Sequence, residues 1–236
     1  MKNNSENFTE VPFIRVLGEI VAVWTLANIG YYLVLPMFGL QLSYNSFPVA
    51  IALYFFIWAV ASIFIFWKVY KRWFGFDSHV WLSGVLSLGS ALVLLVLVYL
   101  FSLLPVISGP SLSAYTDILF ATPWYFLPKS IEILVQQLLI TVLVLELFFR
   151  FQTLKNVVIG YALCFGGAHI VLYILNGAPA PYSIAMTLGA FLSSLMFPYL
   201  ILKVRGGFVY SYMIHFVFYI LLASLLHVLP LPGYVI

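Results

Sequence analysis

Residues 130–150 read SIEILVQQLLITVLVLELFFR, a run of 21 residues in which, after Ser130, apolar side chains are broken only by Glu132, Gln136, Gln137, Thr141 and the closing Glu146 and Arg150. A spanning helix needs about 20 predominantly apolar residues, so this stretch is long enough to cross a bilayer. Working outward, comparable runs occur at 13–37, 46–67, 81–107, 157–176, 183–203 and 207–229. The expectation is an all-α, polytopic transmembrane bundle of about seven helices.

Composition agrees with that reading. The 236 residues are 64% hydrophobic and only 7% charged, whereas a soluble domain carries roughly a quarter charged residues. No acidic or basic tail points to nucleic acid, and a net charge of +3 says little about partners. Cys164 is the single cysteine, which excludes a disulfide framework or a cysteine-based metal cluster within one chain. The first apolar stretch, from Pro12, exceeds the h-region of a cleavable signal peptide and is read as a retained helix.

Short stretches between the runs carry the punctuation: Pro36, Gly39, Lys68 to Asp77, Gly109-Pro110, Gly177 to Pro181 and Gly206-Gly207. Basic residues cluster at alternate ends. Lys2 and Arg15 precede or enter the first helix, Lys68, Lys71 and Arg72 follow the second, Arg150 and Lys155 the fourth, and Lys203 and Arg205 the sixth. Of the ten, Lys129 alone falls on the other side. The positive-inside rule therefore puts the N-terminus in the cytoplasm and Leu231 to Ile236 outside. Ile107 to Ser130, with three prolines and Trp124-Tyr125, suits an irregular outer loop with headgroup anchors or a segment dipping back into the membrane. With no repeat, low-complexity tract or soluble appendage, residues 1–236 form one integral membrane domain.

Ionisable residues inside spanning helices are costly and mark function by default. Glu146 and Arg150 stand four apart on one helix face, as a local ion pair would, with Arg150 snorkelling to the cytoplasmic surface. His169 follows Phe165-Gly166-Gly167-Ala168, whose small residues permit close approach of a backbone or a substrate. His215 lies about 12 Å into the seventh helix, with Tyr219 one turn further. Counted from their own cytoplasmic ends, Glu146, His169 and His215 converge in the cytoplasmic half or the middle of the bilayer. Arg15 and Glu19 suit a structural pair. Glu132, Gln136 and Gln137 hydrate a cavity or glue helices together, and Ala185, Gly189 and Ser193 form a packing stripe. His79 and His227 are assigned no role.

In order, Glu146-xxx-Arg150, Phe165-xxx-His169 and His215 resemble the three signature motifs of the CPBP family over about residues 130–225. That family comprises intramembrane endopeptidases, among them type II CAAX prenyl proteases and bacterial homologues linked to bacteriocin immunity. The resemblance implies a water activated by Glu146 and His169 to attack a scissile peptide, with His215 and Tyr219 supporting the oxyanion and Arg150 and Phe165 in supporting places. It implies a membrane-embedded or lipidated protein substrate within membrane lipid, in the plasma membrane of a prokaryote. The sequence departs from the family pattern where the first of two adjacent glutamates is Leu145, where the final Asn is Tyr219, and where Phe151 replaces a frequent Gly. Leu145 favours the alternative of a degenerate pseudoprotease acting as a binding, immunity or scaffold subunit. A small transporter or channel is a third reading of the same buried residues. No cofactor and no metal is expected, since two histidines and a carboxylate without a His-Glu-xxx-His spacing do not specify zinc.

Overall fold

The computed structural model describes residues 12–40, 42–74, 80–104, 117–118, 120–176 and 180–228. Helix α1 runs Phe13–Met37 and widens into a π turn at Gly30–Val34. It is followed by α2 (Pro48–Ile65), α3 (Trp67–Phe74) and α4 (Val80–Phe101). A single 3-10 turn, Pro123–Tyr125, leads into α5 (Phe126–Phe151). Helix α6 comprises Leu154–Tyr161, a π turn at Ala162–Gly166 and Gly167–Asn176, and α7 (Ala180–Lys203) and α8 (Gly207–Val228) complete the bundle. No strand occurs among the described residues.

Six of these helices are long and apolar enough to cross a membrane, and the chain is an integral membrane protein. The described apolar part of α4, Val85–Phe101, is shorter, which brings the count close to seven. The expected linker from Lys68 onward instead begins as α3, whose sequence WKVYKRWF buries Val69 and Tyr70 while exposing Trp67, Lys68 and Lys71. A short amphipathic helix of this kind lies along an interface rather than across it. Trp124 is exposed and Tyr125 buried at the head of α5, while 105–116, 119, His79 and the C-terminal Leu231 to Ile236 lie outside the described residues.

Helix α5 is the axle. Val142 and Val144 have no exposed surface, and Ile133, Leu139, Leu145 and Leu147 are all buried, because α1, α2, α3, α6, α7 and α8 pack around this one helix. A helix buried along most of its length is expected only where neighbours surround it. The outer helices turn Leu88, Leu92, Leu95, Leu188, Leu195 and Leu221 to the exterior. That much exposed apolar surface suits hydrocarbon and not water.

Tight joints hold the bundle in register. Gln152 adopts left-handed backbone (φ 57°) and ends α5. Between α7 and α8, Gly206 has φ 69°, and a Cβ on Gly207 would run into the Leu200 carbonyl. The small-residue stripe on α7 does pack: Gly189 lets the Phe218 ring of α8 approach, and Ser193 meets Tyr161 of α6 at 3.5 Å.

Candidate functional site

Helix α5 repeats polar residues on one face at alternating spacings of four and three. Lys129, Glu132 and Gln136 form the outer part of that face, Leu139 and Leu143 the middle, and Glu146 and Arg150 the inner end. The outer part and the middle, down to Leu143, line a cavity of about 720 Å³ between α1, α5 and α6. Helix α1 contributes Leu17, Val21, Trp24, Asn28 and Tyr32, while α6 contributes Phe165, Ala168, His169, Leu172 and Tyr173. Tyr219 of α8 and Met186 of α7 reach the same space.

The outer end of the cavity is closed by a clamp centred on Glu132. Its Oε2 receives the Lys129 ammonium at 2.8 Å and the Tyr44 hydroxyl at 2.7 Å, and its Oε1 receives the Gln136 amide at 2.9 Å. Lys129 also lies 4.1 Å from the centre of the Tyr219 ring, a cation–π contact. Tyr44 comes from the turn between α1 and α2. Burial, and then the adjacent Glu132 carboxylate, hold its hydroxyl well above the ordinary tyrosine range, so it remains a donor. The Tyr44 backbone N–H donates to Asp117 at 3.3 Å, Asn45 donates to the Asp117 carbonyl, and the Thr122 N–H donates to Asn45. Two loops are thereby tied down onto the head of α5.

His169 projects from α6 just beyond its π turn, with Phe165 one helical turn below. Its Nδ1 stands 2.8 Å from the Phe165 carbonyl and its ring 4.5 Å from the Phe165 ring. A carbonyl only accepts, so Nδ1 carries the proton and Nε2 of the neutral ring is an acceptor. Of the two preceding glycines, Gly166 admits the Phe191 ring of α7, while Gly167 faces open space. His215 stands behind Tyr219, their ring centres 5.7 Å apart, and within electrostatic reach of Lys129 and His169. Its Nδ1 is buried with no hydrogen-bond partner, as is Oε1 of Gln137 on α5. Gln137 Nε2 donates to Ser211, four residues before His215 on α8.

Of the residues singled out by sequence, His169 and Tyr219 thus line one cavity, with His215 against Tyr219 and Phe165 beneath His169. Glu146 does not join them. It is buried at the inner end of α5, 3.6 Å from Arg150, whose guanidinium lies over the Phe13 ring. The reason is height. Glu146 lies five residues from the inner end of α5, about 7 Å, whereas His169 lies fifteen residues into α6, about 22 Å, at 1.5 Å per residue. The bond between Gln137 and Ser211 likewise sets the start of α8 against the outer half of α5. At the level of the histidines α5 offers Gln136 and Glu132. Leu145, the position of the missing glutamate, is buried in the main core.

The ion pair inside the cavity, Lys129 with Glu132, joins two residues that the sequence reading took separately, a lone outer-side cation and a carboxylate three residues on. Its Tyr44 partner, 88 residues away, had no signal in the sequence. Arg15 and Glu19 form an exposed pair at 3.0 Å. His227 is buried, bonds through Nδ1 to the Ala223 carbonyl and stands edge-on to Phe101. Among the described residues, no three His, Cys, Asp or Glu side chains converge as a metal site. Compared with known proteins, the chain matches no family model, no curated protein and no solved structure.

Proposed function

We propose that this chain is a catalytically degenerate, CPBP-like membrane protein that binds an amphiphilic segment in a chamber open sideways to lipid. The observation that carries the reading is what α5 contributes to the cavity that His169 lines: a glutamine, Gln136, and a carboxylate, Glu132, already engaged by three donors. A carboxamide takes no proton at any working pH, and a general base must reach the proton it abstracts. Glu146, the base implied by the resemblance, lies on Arg150 outside the cavity.

Access supports binding from the bilayer. Helix α1 packs chiefly on α5 and α2, and α6 on α5 and α7, leaving the cavity between α1 and α6. Its α1 wall includes Val21, Ile29, Tyr32 and Leu33, all exposed on the lipid side, and its α6 wall includes exposed Ala168. The clamp at Glu132 closes the outer end. A volume of about 720 Å³ falls within the range of small-molecule sites, about 300–1,000 Å³. The setting is the plasma membrane of a prokaryote, with membrane lipid or a lipidated or membrane-embedded protein as partner.

A photoactivatable amphiphile incorporated into proteoliposomes tests this reading. Label is expected at cavity residues such as Thr25, Ala168 and Leu172; label spread evenly over lipid-facing positions such as Leu92 and Leu95 would refute it. One observation favours the endopeptidase as a second reading: His169, Tyr219 and Glu132 share the cavity. Reconstituted wild type and His169→Ala distinguish the two. Equal product from candidate membrane substrates counts against proteolysis, and product that disappears with His169 restores it.

A further inference from the structure

The lining of the chamber changes in a fixed order along the bundle axis. The inner ends of its three helices share a level: the Arg150 guanidinium at the end of α5 lies over the ring of Phe13, the first residue of α1, and α6 begins three residues after α5 ends. From these ends Asn28, Gln136 and His169 each stand fifteen residues along their own helices, about 22 Å at 1.5 Å per residue. Trp24 and Thr25 stand about one turn lower, and Leu17, Val21 and Leu143 lower still, all of them lining the cavity. Resting on the binding role above, we propose that the chamber takes an uncharged acyl ester whose head carries hydroxyl groups, a lipid of the monoacylglycerol kind.

Hydrogen-bonding sense changes with level. The lower pair offers donors: the Trp24 indole N–H and the Thr25 hydroxyl have no hydrogen-bond partner among the described residues, and neither is sealed from the cavity. The upper belt offers acceptors. The Asn28 and Gln136 nitrogens already bond the Trp24 carbonyl and Glu132, leaving two carboxamide oxygens; His169 donates Nδ1–H to the Phe165 carbonyl, leaving the Nε2 lone pair. The second hydrogen on each carboxamide nitrogen also suits a hydroxyl, which accepts as well as donates, and the tyrosine hydroxyls of the lining favour neither sense. From floor to clamp the wall therefore runs apolar, donor, acceptor. An acyl ester with a hydroxylated head runs in the same order: alkyl chain, carbonyl oxygen, hydroxyl groups.

The ionised groups of the lining call for no charge on the head. Lys129 is held by Glu132 and lies over the Tyr219 ring, Glu132 accepts from three donors, and Asp117 accepts from the Tyr44 backbone N–H. A charged head of either sign would leave water for a site whose charges are already engaged, which is expensive; ester and hydroxyl groups avoid that cost. The opening between α1 and α6, walled by exposed Val21, Ile29 and Leu33, suits the alkyl chain and places the ligand's source in the lipid phase.

The test uses the full chain in phosphatidylcholine nanodiscs and the quenching of tryptophan fluorescence by a monoacylglycerol brominated at mid-chain. The matching brominated fatty acid, alkylamine and methyl ester are the comparison probes. Trp24→Phe supplies the baseline from the other tryptophans, and only quenching that depends on Trp24 is counted. The monoacylglycerol is expected to quench saturably, at a concentration at least ten-fold below those of the acid and the amine and several-fold below that of the methyl ester. Thr25→Val is expected to raise the half-saturating concentration of both esters several-fold. His169→Leu is expected to raise that of the monoacylglycerol several-fold and that of the methyl ester less than two-fold. Saturable quenching by the acid or the amine at equal or lower concentration overturns the uncharged head while leaving the chamber standing. A methyl ester as effective as the monoacylglycerol overturns the hydroxyl assignment. Absence of Trp24-dependent quenching by every probe refutes the chamber and the assignment with it.

Discussion

Glu132→Gln is the perturbation whose cost follows most directly from the geometry. The Lys129 and Glu132 side chains are 10% and 12% exposed and 2.8 Å apart. Removing one partner of such a pair strands the other charge away from water, at a cost of about 3–5 kcal/mol. Glutamine keeps the shape and still accepts from Tyr44, so the loss falls on the Lys129 ammonium. At roughly 2–4 °C per kcal/mol for a chain of this size, the apparent Tm should fall by about 6–20 °C. Lys129→Met should cost less, because Tyr44 and Gln136 continue to donate to the stranded carboxylate. The double variant contains neither charge and should recover most of the loss, retaining a deficit of about 0.5–2 kcal/mol for the vanished contact with Tyr219. The assay is a thermal scan in mild detergent at one fixed rate, since apparent midpoints of irreversible unfolding depend on rate. A coupling of at least about 2 kcal/mol is expected from the cycle. Additive single effects would show that the pair is not a buried unit and would refute the clamp.

Three other outcomes follow from the same structure. Tyr44→Phe should lower stability at neutral pH by about 1 kcal/mol for the lost bond to Glu132. Because folding raises the Tyr44 pKa, that deficit should shrink above about pH 10, where unfolded tyrosine ionises and the folded hydroxyl does not; a deficit constant across that range would contradict the buried donor. Gly207→Ala should strongly reduce folded yield, since its Cβ meets the Leu200 backbone, whereas Gly167→Ala, with open space beside it, should be neutral or slightly stabilising in the same size-exclusion measurement. Arg150→Ala should leave photolabelling of Thr25, Ala168 and Leu172 within two-fold of wild type, because its partner Glu146 does not line the cavity; a larger change would tie the inner pair to the chamber.

The bundle was legible because a bilayer imposes one simple demand, long apolar runs, and the chain meets it at α1, α2, α5, α6, α7 and α8. Helix α3 escaped notice because eight residues with alternating Trp, Lys, Val and Tyr carry an interfacial pattern that reads as a linker. His169 and Tyr219 were legible by residue type: each is polar inside an apolar run. Their neighbours were not, because neighbourhood across helices depends on relative height, and linear counting from assumed ends misplaces it. The fifteen residues of α6 before His169 and the outward offset of α8 carry the histidines away from the inner end, where Glu146 remains. The Tyr44 and Asp117 contacts come from loops whose path no periodicity encodes.

One face of α5 therefore does two separate jobs. From Lys129 to Gln136 it carries the groups that meet His169 and Tyr219; from Glu146 to Arg150 it carries an ion pair against the start of α1. Between them lie Leu139 and Leu143, both buried, and Gln136 is about 15 Å from Glu146 along the axis. The cavity itself runs down that interval, with Leu139, Ile140, Leu143 and Leu17 forming an apolar floor, so a proton moving from His169 to Glu146 would have to pass this floor and the last turn from Leu143 to Glu146. The motif glutamate is thus insulated from the histidines by the same leucines that make α5 the core of the bundle. Restoring a carboxylate at position 145 would leave it in the core, on the inner side of that interval. Gln136→Glu instead puts a carboxylate in the cavity that His169 also lines, and its effect on cleavage by reconstituted protein separates the two placements. Activity gained by Gln136→Glu but not by Leu145→Glu would place the degenerate catalytic position in the outer half of α5; the reverse result would refute the heights assigned to Glu146 and His169.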